Sequence, residues 1–280
     1  MFDLPISIVA GYLGSGKTTY INRRLNNSGG VRFGVLVNDF GSLNVDAELI
    51  EASDGVTVAL ENGCVCCSME GGLEQAADQL RAIAQNIDWV LLEASGVADP
   101  TRLKDRVLSW PEFELKETLT LVDATRIKQL TQDKFIAGHI RKQLEEAENF
   151  IITKQDLMSS DQLPELQTWL QQQRVRPSFS PEARPPRFLA EKIEFDEPQS
   201  KQTLETWLNN LDESTLRLKG FVQLQDQPNK WHLVQWVDQQ WTITPHTSSK
   251  PNQTGLVRIS AAPRPHPSQI NPKITPELAR

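Results

Sequence analysis

The chain has 280 residues, 39% of them hydrophobic and including seven Trp and ten Phe, enough apolar material for a packed core and too much for a wholly disordered chain. Its 29 Lys and Arg against 36 Asp and Glu give a formal net charge of −7, the wrong sign for a nucleic-acid footprint. No apolar run approaches the ~20 residues that cross a bilayer, and the opening "MFDLPISIVAG" has an acidic residue where a signal peptide carries positive charge. The expectation is a cytoplasmic protein with no nucleic-acid and no membrane partner.

In chain order, "PISIVA" (5–10) is a short apolar strand ended by Gly11, and "KTTYINRRLNN" is a helix stopped by "SGG" at 28–30. Further strand-like runs are "FGVLVN" (33–38), "VTVAL" (56–60), "WVLLEA" (89–94), "TLTLVDA" (118–124) and "FIITK" (150–154), with helical stretches such as "GLEQAADQLRAIAQN" and "GHIRKQLEEAEN" between them. Near-continuous apolar strands alternating with helices predict an α/β fold whose mostly parallel, doubly wound sheet is covered on both faces. The helix "SDQLPELQTWLQQQ" closes this unit at about residue 174. A proline-rich linker follows over 175–187. Beyond it, one helix and four strands ("FLAEKIEF", "LRLKGFVQL", "KWHLVQWV", "QQWTITP", with "TGLVRIS" as a further candidate) predict a small antiparallel α+β domain over 188–262. Five prolines after Ala262 predict a loose tail over 263–280.

Gly11-x-x-x-x-Gly16-Lys17-Thr18 is a complete P-loop signature placed between a predicted strand and a predicted helix. Its glycines let backbone N–H groups turn toward phosphate oxygens, and the helix N-terminus adds its positive dipole end. Gly11, Gly14, Ser15, Gly16, Lys17, Thr18 and Thr19 are the expected nucleotide contacts, with Lys17 reaching the β- and γ-phosphates and the Thr18 hydroxyl binding Mg²⁺. Phosphoryl transfer here also needs an acid at a strand end. Glu93 closes "WVLLE" with Gly96 three residues on, and Asp39 and Asp46 sit in "NDFGSLNVD". Lys154 and Asp156 of "TKQD" follow the last strand; a carboxylate there accepts from the guanine N1–H and amine, which favours GTP over ATP.

All three cysteines, Cys64, Cys66 and Cys67, fall within four residues. In a reducing cytosol such a cluster is metal or redox chemistry rather than a disulfide framework. Thiolates suit Zn²⁺ or Cu⁺, and Co²⁺ takes similar tetrahedral sites. Two or three protein ligands leave the site open, as a carrier that releases its metal requires. Glu74 is a candidate oxygen ligand. His139, His232, His246 and His266 share no ligand spacing and read as surface or packing residues, as the tryptophans of the second domain read as core.

With the P-loop, "ENGCVCC", "EASG" and "TKQD" in this order, the chain resembles the CobW-type GTPases, relatives of the hydrogenase and urease nickel-accessory G-proteins. "NDFG..NVD" is similar to the family's switch segment and "LRLKGFVQL" to a strand of its C-terminal domain. Asp39 stands where the family usually has Glu, and Thr153 where its guanine motif has Asn. The resemblance implies a GTP-hydrolysing metallochaperone that uses Mg²⁺, holds Zn²⁺ (alternatively Co²⁺) on the C-x-C-C loop, and delivers it to an unidentified metalloprotein client. The competing readings are a nucleotide-dependent scaffold with a structural zinc, and an insertase for cobalt or nickel. A homo-oligomer is compatible with each.

Overall fold

A computed structural model describes residues 4–37, 56–59, 70–174, 188–246, 250–251, 254–261 and 273–277. The first sheet has six strands: β1 (Leu4–Gly11), β2 (Phe33–Val37), β3 (Val56–Ala59), β4 (Trp89–Glu93), β5 (Phe113–Asp123) and β6 (Asn149–Thr153). Their order is β3-β2-β4-β1-β5-β6, and every pairing is parallel. The apolar runs are continuous because both faces are covered. Ile6, Ile8 and Ala10 of β1 face one cluster, with Leu73, Ala76, Ala77 and Leu80 of the helix Glu70–Ala82 and Leu103 and Val107 of the helix Pro100–Leu108. Val9, between them in sequence, faces the other way, onto Ile21 and Leu25 of the helix Lys17–Asn26. The spacing of Leu73, Ala76, Ala77 and Leu80 is the i, i+3, i+4, i+7 stripe of an amphipathic helix.

Parallel register brings all strand C-termini to one edge. Val9 pairs with Glu93, Gly11 with Leu121, and Asp123 with Thr153. That edge is where open α/β sheets gather their ligands.

The second sheet is antiparallel: β7 (Phe188–Glu194), β8 (Thr215–Leu224), β9 (Gln227–Val237), β10 (Gln240–Pro245), β11 (Gly255–Ala261) and β12 (Lys273–Glu277), in the order β10-β9-β8-β11-β7-β12. One face carries the helix Lys201–Asn209, whose Leu204 and Leu208 pack on Leu218, Val222, Val234 and Trp236. Ser200 caps that helix by accepting from the Thr203 N–H. The other face presents Phe188, Phe221, Leu233 and Ile259 to a cluster that continues into the first sheet's helices and into Tyr12 and Leu13.

The loose tail expected over 263–280 needs correction for five residues. Lys273–Glu277 form β12 and pair with β7 over Lys273↔Glu194 to Glu277↔Ala190. Without it β7 would present an open row of N–H and C=O groups, and Pro276, which has no N–H to donate, is tolerated because β12 is itself an edge. The remaining tail residues, and the linker 175–187, lie outside the described residues.

Candidate functional site

At the C-terminal edge of the first sheet, β1 ends in Gly11 and the chain turns through residues 12–16 into the helix Lys17–Asn26. Gly11 has φ 135, and a Cβ there would lie 2.4 Å from the Leu121 carbonyl oxygen and 2.7 Å from the Ser15 hydroxyl. Gly14 and Gly16 are left-handed, at φ 74 and 91, which glycine adopts without steric cost. Lys17 is buried, and its ammonium donates to the carbonyls of Gly11 (3.0 Å) and Tyr12 (3.4 Å). The Ser15 hydroxyl is buried inside the turn with no hydrogen-bond partner among the described residues. A buried orphan hydroxyl inside a glycine turn at a helix N-terminus fits an anion that supplies the missing partner.

Thr18 and Glu93 meet across the edge. The Thr18 hydroxyl donates to Glu93 Oε1 at 3.1 Å and lies 3.4 Å from Oε2. Glu93 is buried although it ends a strand, because β1 and β2 flank it on both sides. A hydroxyl and a carboxylate side by side next to a phosphate cradle form the hard oxygen donor set that Mg²⁺ takes. Thr19, one residue on, is exposed.

"TKQD" is tied to the same loop. The Thr153 hydroxyl donates to the Ser15 carbonyl at 2.8 Å, and the Val122 carbonyl lies 3.2 Å away. Lys154 is left-handed at φ 55, and its ammonium donates to Asp123 Oδ2 at 2.5 Å. The other oxygen of Asp123 accepts from the Thr125 N–H and hydroxyl. Asp156 is exposed in the 3₁₀ turn Gln155–Leu157 that follows.

The segment after β4 lies against the phosphate loop. A Cβ on Gly96 would fall 2.8 Å from the Leu13 nitrogen. Gln143 donates to the Ala98 carbonyl at 3.1 Å and lies 3.0 Å from His139 Nε2, whose ring also bonds the Gly96 backbone. Burial is the main cause that pushes the His139 pKa down to about 4, so the ring is uncharged at neutral pH. It stands edge-on to both Tyr12 and Phe188. Asp99 caps the helix Pro100–Leu108 and accepts from Lys142 at 2.8 Å. Burial would raise the Asp99 pKa, but the Lys142 hydrogen bond and charge outweigh it and lower it.

Lys17, Thr18, Glu93, Thr153 and Lys154 are therefore brought to one edge. Asp39, Asp46, Cys64, Cys66 and Cys67 lie outside the described residues; the cysteines belong to the ten residues connecting the end of β3 to the helix Glu70–Ala82. Glu74, a candidate metal ligand on sequence, accepts from the Trp110 indole at 2.9 Å and lies 3.6 Å from Arg106. Sequence reasoning missed Asp123, which had the same signal as Glu93, an acid ending an apolar strand. His139, read from sequence as a surface or packing residue, packs against Tyr12 and Phe188.

Two family models match the chain: "CobW/HypB/UreG, nucleotide-binding domain" over residues 5–180 and "Cobalamin synthesis protein cobW C-terminal domain" over residues 191–269. The chain is similar to the zinc chaperone CobW of Pseudomonas aeruginosa, 34% identical over 137 residues that span 44% of this chain and 36% of that protein. It is also similar to the zinc-regulated GTPase metalloprotein activator 1 of Schizosaccharomyces pombe, 31% identical over 172 residues, 57% of this chain and 41% of that protein. The chain thus spans well under two thirds of the length of these relatives. Among solved structures, the Zn(II)-bound YjiA GTPase of Escherichia coli aligns with a TM-score of 0.43 and 20% identity over 93% of this chain and 95% of that one.

Proposed function

Because the chain belongs to the CobW/HypB/UreG nucleotide-binding family, we propose that it is a Mg²⁺-dependent GTPase that carries a transition metal, zinc before cobalt, to a client metalloprotein. The observation that carries the nucleotide half is the Thr18–Glu93 contact at 3.1 Å beside a glycine cradle holding a buried lysine. In the working cycle Lys17 exchanges the Gly11 and Tyr12 carbonyls for β- and γ-phosphate oxygens. The loop N–H groups and the Ser15 hydroxyl close around the same phosphates. Thr18, with Glu93 beside it, would hold Mg²⁺ or its waters, and the ion would supply positive charge against the charge that develops on the phosphates. Asp39, in the segment between β2 and β3, is the acid of the switch.

Base selection falls to Asp156 as acceptor for guanine, with the stem of Lys154 as its shelf. Asp123 fixes that lysine, and Thr153 ties it to Ser15 in place of the family's asparagine. The metal half rests on chemistry: Cys64, Cys66 and Cys67 supply soft thiolates suited to zinc, and relatives are named zinc chaperones. The cysteine segment follows β3, whose C-terminal end lies on the same edge of the sheet as the phosphate loop, which supports reading metal and nucleotide as coupled. Among the described residues no helix is long and apolar enough to cross a membrane, in keeping with a cytoplasmic carrier.

Zinc titration against a competing chelator, with a non-hydrolysable GTP analogue and then with GDP, tests the coupling. Zinc affinity should differ at least fivefold between the two states, and Cys66→Ala should abolish both the tight site and the metal sensitivity of GTP turnover. Equal affinity in both states would sink the carrier reading and leave a structural zinc.

A further inference from the structure

The hairpin joining β9 to β10 turns through Asp238 and Gln239, at φ 56 and 61. Val237 pairs with Gln240, and a two-residue loop with both central residues at positive φ is the hairpin turn whose twist matches the flanking strands. It sets Val237 and Asp238 at the tip of the hairpin, beside the phosphate loop. The Val237 methyls approach to 3.3 and 3.6 Å of the point where a Cβ on Gly14 would stand. Arg126 Nε forms an ion pair with Asp238 Oδ2 at 3.0 Å, and an Arg126 terminal nitrogen lies 3.8 Å from that same point. Arg126 is only 16% exposed, whereas Asp238 is 47% exposed. Arg126 follows the Asp123–Thr125 turn at the end of β5, and its own N–H donates to the Asp123 carbonyl, so its backbone is fixed by the first sheet while its head is fixed by the second.

We infer that Asp238 is a positioning residue for the nucleotide site: through Arg126 and Val237 the second sheet's hairpin braces Gly14 of the phosphate loop and sets how long a bound guanine nucleotide stays. This rests on the guanine-nucleotide reading above. Gly14 sits at φ 74, and the atoms nearest the point where its Cβ would stand are the two Val237 methyls and an Arg126 terminal nitrogen, so movement of the loop toward that side meets Val237 and the Arg126–Asp238 pair. The linkage is reciprocal: a client that pulls on β9 or β10 loosens the nucleotide, and bound nucleotide holds the hairpin down. A second ion pair between the two halves, Lys134–Glu213 at 2.7 Å, is exposed at both ends and remote from Gly14 in its contacts, which makes it the natural control.

The test is dissociation of a fluorescent GDP analogue from the full chain, chased with unlabelled GDP. Asp238→Gly removes the carboxylate yet suits φ 56 better than aspartate, so it should melt no lower than the parent while releasing nucleotide about three- to fivefold faster, the scale of a partly exposed ion pair. Arg126→Ala should give the same rate, and the double variant should be no faster than either single one. Glu213→Ala should release at the parent rate. An Asp238→Gly rate within 1.5-fold of the parent overturns the brace, as does an equal acceleration by Glu213→Ala, which would point to general contact between the halves. Failure of the parent chain to bind guanine nucleotide at all overturns the nucleotide reading itself, and is distinguished by direct titration before the chase.

Discussion

Gly96→Ala puts one methyl group where the segment after β4 crosses the phosphate loop. Its Cβ would stand 2.5 Å from Leu13 Cδ2, 2.8 Å from the Leu13 nitrogen and 3.0 Å from the Leu13 Cα. Turning the Leu13 side chain relieves only the first of these. The other two are backbone, so either the loop or the segment 95–98 must retreat by several tenths of an ångström. Leu13 is buried, and 95–98 is held from behind by Gln143 on the Ala98 carbonyl. Overpacking of this kind costs about 1–3 kcal/mol. At a factor of ten per 1.4 kcal/mol, nucleotide affinity should fall about five- to a hundredfold if the displaced part is the loop. The melting temperature should fall by about 2–4 °C for each kcal/mol. The assay is fluorescence titration with a GTP analogue, with thermal melting alongside. Gly138→Ala is the control: a Cβ there meets nothing within 4 Å, and in the helix Ala137–Glu145 it should stabilise by up to about 1 kcal/mol. Parent affinity together with a parent melting temperature in Gly96→Ala would refute the close approach of Gly96 to Leu13.

Thr153→Val keeps the shape and removes the hydroxyl that donates to the Ser15 carbonyl; the loss of one such bond, about 1 kcal/mol, should weaken GDP binding about fivefold in calorimetric titration, and unchanged affinity would deny the tie a role. Burial holds His139 at about 4, below its ordinary 6.5, so the unfolded chain takes up the proton first. The folded chain keeps this contribution in full above pH 6.5 and loses stability as the pH falls from there to about 4. Urea unfolding between pH 7.5 and 4.5 should show that loss, about 2–3 kcal/mol in the parent, and a flatter profile for His139→Gln.

What could be read in advance was what backbone geometry forces on the letters. The glycine spacing of the phosphate loop, the apolar strands of the parallel sheet and the strand-end position of Glu93 are local, and local pattern carries them. The long-range contacts left no such trace. That Gly96 is glycine because Leu13 crosses it, that Thr153 reaches Ser15, and that His139 stands between Tyr12 and Phe188 all depend on segments 49 to 138 residues apart in sequence. Asp123 was legible by the rule that found Glu93 but reads as a strand-end acid until Lys154 is seen on it. β12 escaped because a proline-rich run argues for a loop, and only the unpaired edge of β7 argues against it.

The cluster that joins Tyr12 and Leu13 to Phe188, Phe221 and Ile259 bears on how this chain can be divided. Cutting it near residue 188 would not detach a module; it would strip the underside of the phosphate loop of its apolar cover and leave Tyr12, whose buried hydroxyl has no partner among the described residues, facing water. A fragment ending at the last helix of the first sheet is therefore expected to be sticky and a poor binder, however complete its motif. Both sheets should melt together in one cooperative transition, and any evolutionary change in the second sheet's inner face is inherited by the loop that holds the phosphate.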